Sequence, residues 1–382
     1  MRVACYSYVG RQFNKQENGR EPDSQKTQLV LGFGAKSVLA EEPVYDQLRE
    51  KFPIADIVLC STAGEIFDKK VVDGTVSVVA IELEKTIIKT AAVNIGDYES
   101  DSYEAGLALA NQFNHSDDLC YIMVLSDGGK VNGSQLVNGI NHIIQHKVPV
   151  TGGLAGDGYE FRSTLTGLNG PPVPGKIIGI AFYGRNLAIA HGSVGGWEMF
   201  GPERTVTRAS ANQLFEINHE NALDVYRKYL GPYADELPGS ALLFPLSVRL
   251  SADSEPVVRT ILSIDTVSKS MIFAGDVPEG SNIRFMKANF DKLIDAASQA
   301  ARQTFTGLIL PNPALTLLIS CVGRKIILGS RVEEEVEAVH DVLGKHTLIT
   351  GFYSYGEISP ISENAQCELH NQTMTITTFD EL

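Results

Sequence analysis

Three stretches of the sequence set a carboxylate beside glycine directly after an apolar run. They are Cys60-Ser61-Thr62-Ala63-Gly64-Glu65-Ile66, Thr151-Gly152-Gly153-Leu154-Ala155-Gly156-Asp157-Gly158 and Tyr353-Ser354-Tyr355-Gly356-Glu357-Ile358. Glycine lets a backbone reach left-handed angles and lie against a ligand with its N–H groups exposed, while the acid can hold an amine or another cation. Taken singly, each reads equally as a tight turn whose acid caps a helix or faces water. Three of them after buried strands favour a pocket, because ligands of open α/β sheets bind at the carboxyl ends of strands. The ligand-binding candidates are therefore Ser61, Thr62, Gly64, Glu65, Gly153, Asp157, Tyr353, Tyr355 and Glu357, joined by Ser126 and Asp127 of the similar run Leu125-Ser126-Asp127-Gly128. None of the runs has the spacing of a phosphate-binding loop or a dinucleotide fingerprint.

Cys321 and Ser126 stand at strand-to-helix junctions, where N–H groups could lower a thiol pKa or hold an oxyanion. No G-x-S-x-G elbow surrounds either residue and no histidine can be assigned as base, so a Cys321-dependent enzyme is the alternative reading rather than the main one. Arg324 reads as an anion clamp, as a partner of a turn carboxylate, or as a plain salt bridge. Among the eight histidines no pair has H-E-x-x-H spacing, and His142 and His146 lie four apart on a solvated helix. His191 ends the apolar run Leu187-Ala188-Ile189-Ala190 and precedes Trp197, the only tryptophan. From there an imidazole could enter an apolar pocket, or simply be hydrogen-bonded.

The elements that must position these residues are read from periodicity. Apolar runs at 3–8, 28–34, 56–60, 75–84, 86–94, 120–125, 148–151, 176–183 and 187–190 predict strands, and Leu136, Val137, Ile140, Ile143 and Ile144 predict one face of a helix. Beyond a turn-rich segment at 231–239, strands are expected near 241–249, 257–265, 270–274, 281–286, 315–319 and 347–351, with one alternating strand over 367–378. Ile122 to Gly153 is echoed by Leu317 to Gly351: strand, serine-bearing turn, helix, strand, Thr-Gly turn. The expected fold is mixed α/β: two related mixed-sheet regions built from βαβ units with helices packed on the sheets, divided as 1–232 and 233–382.

The chain has 382 residues and a formal charge of −14, which argues against a nucleic-acid partner. It shows neither a signal-peptide pattern nor a long apolar span, which predicts a cytosolic protein with no membrane partner. Its five scattered cysteines read as reduced thiols.

The sequence resembles the FIST family (F-box and intracellular signal transduction), with paired N-terminal and C-terminal FIST regions spanning nearly the whole chain. The resemblance rests on Cys60 to Ile66, Ser126-Asp127-Gly128, Gly152 to Asp157 and Gly201-Pro202 through Thr207, and on Ser320-Cys321-Val322-Gly323-Arg324, Gly351 to Ile358 and His370-Asn371-Gln372-Thr373. It implies a sensory module that binds a small ligand and signals to a separate protein, such as a histidine kinase or a cyclic-di-GMP enzyme. The run His191 to Trp197 is similar to a stand-alone branch that holds haem b and senses nitric oxide, which would make His191 the axial ligand. An amino acid or similar zwitterion is the alternative ligand, its amine on Glu65, Asp157 or Glu357 and its carboxylate on Arg324 or turn N–H groups.

Overall fold

The strand Leu29–Ala35 runs parallel to Asp56–Thr62 in unbroken register from Leu29 opposite Asp56 to Ala35 opposite Thr62, with the helices Lys36–Glu41 and Val44–Lys51 crossing between them. This computed structural model describes residues 1–113, 115–145, 148–250, 255–305, 313–360 and 365–382, so His146 lies outside the described residues. Val76–Glu82 and then Arg2–Val9 extend that first sheet antiparallel on the side of Leu29–Ala35. The same plan recurs twice. Leu119–Ser126 pairs parallel with Val150–Leu154 across the helix Gly133–Ile144, and Lys176–Tyr183 and Ile87–Asn94 extend the second sheet antiparallel. Leu315–Cys321 pairs parallel with Leu348–Ser354 across Val322–Leu328 and Val332–Leu343, and Met374–Glu381 and Leu187–Val194 extend the third.

The units are locked by a cyclic exchange of short strands. Glu65–Phe67, which follows the first unit, pairs with Leu348–Ser354 of the third. Gly356–Pro360, which follows the third, pairs with Val150–Leu154 of the second. Thr166–Leu168, which follows the second, closes the circle on Asp56–Thr62 of the first. The inner faces meet in one core that includes Phe33, Val58, Met123, Ile180, Leu317 and Phe352, and each outer face is covered by helices. Burial on both faces is why these strands read as continuous apolar runs instead of alternating ones.

The mixed α/β class expected from the sequence is present, with three related units where the echo showed two. The single strand expected over 367–378 is two strands in two sheets, Cys367–His370 and Met374–Glu381. The break falls at Gln372, whose φ of 62° turns the chain out of the first ladder.

A fourth, antiparallel sheet is built from Glu198–Ser210, Gln213–Ile217, Leu246–Arg249, Val257–Arg259, Ile261–Asp265, Ser270–Phe273 and Asn282–Lys287. Its two edges, Val257–Arg259 and Ile261–Asp265, are consecutive stretches of chain with only Thr260 between them. The sheet therefore curls around the helix Ala222–Leu230, whose Leu223 and Tyr226 pack with Leu214, Phe273 and Phe285. Asn221 caps that helix by accepting from Asp224 N at 3.1 Å. Two contacts, one buried and one half-buried, fasten the curled sheet to the three-sheet body. Arg259 Nη1 donates to Leu369 O at 2.8 Å, and Asp276 accepts from Asn132 Nδ2 at 2.9 Å and from Gln135. Among the described residues no helix is long and apolar enough to cross a membrane.

Candidate functional site

The strand ends of the three units meet in a ring of backbone hydrogen bonds. Ala63 N donates to Tyr353 O at 2.8 Å, Tyr355 N to Leu154 O at 3.1 Å, and Gly156 N to Ser61 O at 2.9 Å. The ring sets the correspondence of the turns: Ser61, Tyr353 and Leu154 are equivalent, as are Ala63, Tyr355 and Gly156. Counting onward, Glu65 and Glu357 occupy the same place, but Gly158 stands there in the second unit. Asp157 instead matches Gly64 and Gly356. The three acids expected to act alike are thus two of one kind and one of another.

Glu65 and Glu357 are sealed into matching clamps. Thr62 Oγ1 donates to Glu65 Oε1 at 2.6 Å, and Thr75 N and Oγ1 donate to Oε2 at 3.0 and 2.9 Å. Ser354 Oγ donates to Glu357 Oε1 at 2.6 Å, and Thr373 N and Oγ1 donate to Oε2 at 3.1 and 2.9 Å. Burial outweighs these donors, pushing the Glu65 carboxyl up to about 7 and that of Glu357 up to about 8. Each carboxyl is buried and takes three donors from its own turn and the facing threonine, so in this structure both acids close hairpins and neither lines the cavity described below.

The second unit is open where the others are sealed. Between the loops 128–133 and 161–164, the curled sheet and the third unit lies a cavity of about 400 Å³. Its walls come from Lys130, Asn132 and Arg162 of the second unit, Thr260 and Phe273 of the curled sheet, and Cys321, Gly323, Tyr355 and Asn371 of the third. Asp127 and Asp157 stand behind this wall and shape it. Asp127 Oδ1 accepts from Gly129 N at 2.8 Å and Lys130 N at 2.6 Å, and its Oδ2 accepts from Gly175 N at 2.9 Å. Asp157 Oδ2 accepts from Arg162 N at 3.1 Å and Ser163 N at 2.9 Å, while Oδ1 accepts from the Tyr355 hydroxyl. Burial raises the Asp157 carboxyl, and the bonds from Tyr355 and the two amides, helped by Lys36, more than reverse this and leave it below its usual range. Tyr355 in turn stacks on Phe161 with ring centroids 4.6 Å apart.

Of the residues singled out in the sequence, Cys321 and Tyr355 line this cavity, and Asp127 and Asp157 support it. The others lie elsewhere. Arg324 is fully buried against Glu335, donating to it from Nε at 3.0 Å and Nη2 at 2.8 Å, with Gly195 O and Leu293 O as further acceptors. It is the plain salt bridge rather than an anion clamp, and Tyr353 joins the same network by donating to Glu335 at 2.7 Å. Ser61 Oγ bridges Gly156 O and Leu165 N, and Ser126 Oγ donates to its neighbour's carbonyl. Gly64 and Gly153 are packing positions: a Cβ would come within 2.4 Å of Lys325 Nζ at the first and 2.8 Å of Ile319 Cγ2 at the second. Burial pushes the Cys321 thiol far up, which keeps it protonated and works against a nucleophilic role.

His191 pairs with Thr377 on the edge strand of the third sheet, following Leu187 and Ile189 along one face, and it does not line the cavity. No histidine is among the described residues that do. The cavity and this imidazole therefore do not make one haem site. His370 is buried and bonded to Ser359 O at 2.8 Å, and burial lowers its pKa to about 4, so it stays neutral. Thr260, Lys130 and Arg162 carried no pattern in the sequence that marks them, while Asn371 sits inside the run His370 to Thr373.

The FIST N domain family matches residues 28–220, and the FIST C domain family matches residues 222–360. No curated protein matches the chain. FIST domains are sensor domains of signal transduction that bind small ligands. With the strand ends of all three units converging beside a cavity, and family matches running from residue 28 to residue 360, the chain belongs to the FIST family.

Proposed function

We propose that the cavity between the curled sheet and the three-sheet body is the sensory site, and that its occupancy is read by a separate signalling protein. The observation that carries this reading is the origin of the walls: three parts of the chain, far apart in sequence, contribute to one space at the carboxyl ends of the parallel strands. A ligand that touches both the body and the curled sheet stabilises whichever relative placement fits it best, and such differential affinity is the only means by which a ligand shifts a conformational equilibrium. The fastenings it would reinforce are those of Asp276 to Asn132 and of Arg259 to Leu369.

Gly129 offers a direct test. It lines the cavity, and a Cβ there would meet its nearest neighbour, Asp127 Oδ1, at an ordinary 3.7 Å. Gly129→Phe should add a ring at the cavity wall without strain. Small metabolites, amino acids and haem are screened by thermal shift against both proteins, since a ligand of the native state raises apparent stability. The expected result is a ligand that raises Tm in the parent and not in a Gly129→Phe protein of unchanged basal Tm. A ligand that stabilises both proteins equally overturns the reading, as does a Soret band equally strong in both if that ligand is haem.

A further inference from the structure

The lining of the cavity is chemically one-sided. Among the described residues it includes Lys130 and Arg162, and no aspartate or glutamate. Both cations are exposed at the rim, where the two loops run side by side: a Cβ on Gly129 would lie 3.9 Å from Arg162 O. Each is held at its own backbone by a buried carboxylate, Lys130 N by Asp127 and Arg162 N by Asp157. Neither side chain forms a salt bridge with a described residue, so both are available to an anion at the mouth.

The floor is of another kind. Thr260 is 4% exposed, and its hydroxyl has no hydrogen-bond partner among the described residues, an arrangement that is costly unless something supplies one. Beside it, Asn371 is fully buried, accepts weakly from Thr260 N at 3.4 Å, and donates from Nδ2 to His370 O at 3.1 Å. An amide nitrogen carries two hydrogens, so Asn371 keeps a second donor beyond the one given to His370 O. Buried apolar side chains, Val131, Leu154, Phe273 and Val322, also line the cavity, with the half-exposed Leu262 joining the outer part.

We infer that the cavity takes a small organic anion without an ammonium group: a carboxylate or phosphate at Lys130 and Arg162, an apolar middle, and a hydroxyl or carbonyl against Thr260 and Asn371. This rests on the cavity being the ligand site. An ammonium is excluded by charge, since Glu65 and Glu357 are sealed in their clamps and Asp127 and Asp157 are occupied by backbone N–H groups and Tyr355. Burying a cation beside the charges of Lys130 and Arg162, with no carboxylate among the described lining residues, would leave it unpaired. The volume of about 400 Å³ suits a metabolite-sized molecule.

The test is calorimetric titration of the intact chain with benzoate, 4-hydroxybenzoate, their primary amides, tyrosine and phenyl phosphate at millimolar concentration. Carboxylates should bind about tenfold or more tightly than their amides, and the double variant Lys130→Ala, Arg162→Ala should erase that preference. Thr260→Val should weaken 4-hydroxybenzoate and leave benzoate unchanged, while the basal Tm holds or rises because an unpaired hydroxyl has been removed. Tighter binding of phenyl phosphate supports the same inference with phosphate as the anionic group. Amides that bind as well as acids, tyrosine that binds more tightly than 4-hydroxybenzoate, or no binding by any anion overturns it. Anion binding that Gly129→Phe leaves intact would instead remove the cavity reading, which separates the two failures.

Discussion

The turns at Glu357 and Asp157 descend from equivalent strand ends of a threefold arrangement, and they have opposite jobs. Glu357 is enclosed by Ser354 and Thr373 and is fully buried, whereas Asp157 sits one residue earlier in its turn and holds the loop that carries Arg162. The second unit lacks the clamp for a plain reason. Ala155 replaces the hydroxyl residue Thr62 or Ser354, and Gly158 replaces the glutamate. The second unit thus has no sealed clamp, and its loops 128–133 and 161–164 line the cavity. Repetition of a Gly-Glu motif marks the architecture, and the copy that departs from it marks the site.

The comparison breaks most visibly through deletion of the carboxylates. Glu357→Ala leaves three buried donors of Ser354 and Thr373 without an acceptor, a loss of about 3 kcal/mol or more by the usual cost of unsatisfied buried groups. Glu65→Ala should behave in the same way, because Thr62 and Thr75 lose the same bonds. Asp157→Ala should cost about 1–2 kcal/mol, since its amide donors lie in a surface loop that water can reach, yet it should weaken ligand binding more than either glutamate variant does. Urea denaturation and ligand titration of the three variants measure both effects. Equal stability losses with equal binding losses would erase the distinction between clamp and support.

Protonation sharpens the same contrast at smaller amplitude. The folded chain holds protons on Glu65 up to about 7 and on Glu357 up to about 8, whereas an unfolded glutamate releases its proton near 4.3. Between those values the folded state binds more protons, so these two groups make stability fall as pH rises from about 4 toward 8, with no further change above or below. Glu65→Gln and Glu357→Gln keep an acceptor for the threonine donors and a donor for Thr62 or Ser354, and they cannot ionise. Each variant should therefore gain on the parent between pH 5 and pH 8, by on the order of 1 kcal/mol per pH unit until the folded carboxyl titrates. Asp157→Asn should show no such gain, because its carboxyl is shifted the other way. Chemical denaturation at the two pH values decides it, and a glutamine variant that loses ground as pH rises would refute the clamp description.

Much of this architecture is legible in the sequence. The strands of the units that bear Gly152 and Gly351 stood out because both faces are covered, and both glycines sit where a Cβ would come within 1.8 Å of a neighbouring strand's carbonyl, Val124 O and Leu318 O. The first unit was hidden because Pro43 splits its crossover into two short helices, so no long amphipathic period announces it. The roles of the acids were illegible because hydrogen-bond partners such as Thr75 and Thr373 lie 10 and 16 residues away, across chain reversals that sequence spacing does not reveal. Thr260 was invisible for the opposite reason: what distinguishes it is a hydroxyl with no partner among the described residues.

The finest version of the comparison concerns two lysines. Lys325 Nζ lies over the first turn, where Gly64 leaves it room, and donates to Ala63 O at 2.9 Å and to Asp73. Lys36 Nζ lies over the second turn, where Asp157 fills the place of Gly64, at 3.6 Å from that carboxylate and 2.7 Å from Ser163 Oγ. The Lys325 side chain is 6% exposed and that of Lys36 is 29% exposed. Truncating the buried ammonium strands Ala63 O inside the ring of strand ends, so Lys325→Met should cost about 1–3 kcal/mol. The half-solvated pair of Lys36 and Asp157 is worth less, and Lys36→Met should cost below about 1 kcal/mol while weakening anion binding, because the loop bearing Arg162 and Ser163 loses one of its ties. Thermal melts of both variants at low and high salt separate the cases. The Lys36 effect should shrink with salt and the Lys325 effect should persist, and the reverse order would place the structural clamp in the second unit instead of the first.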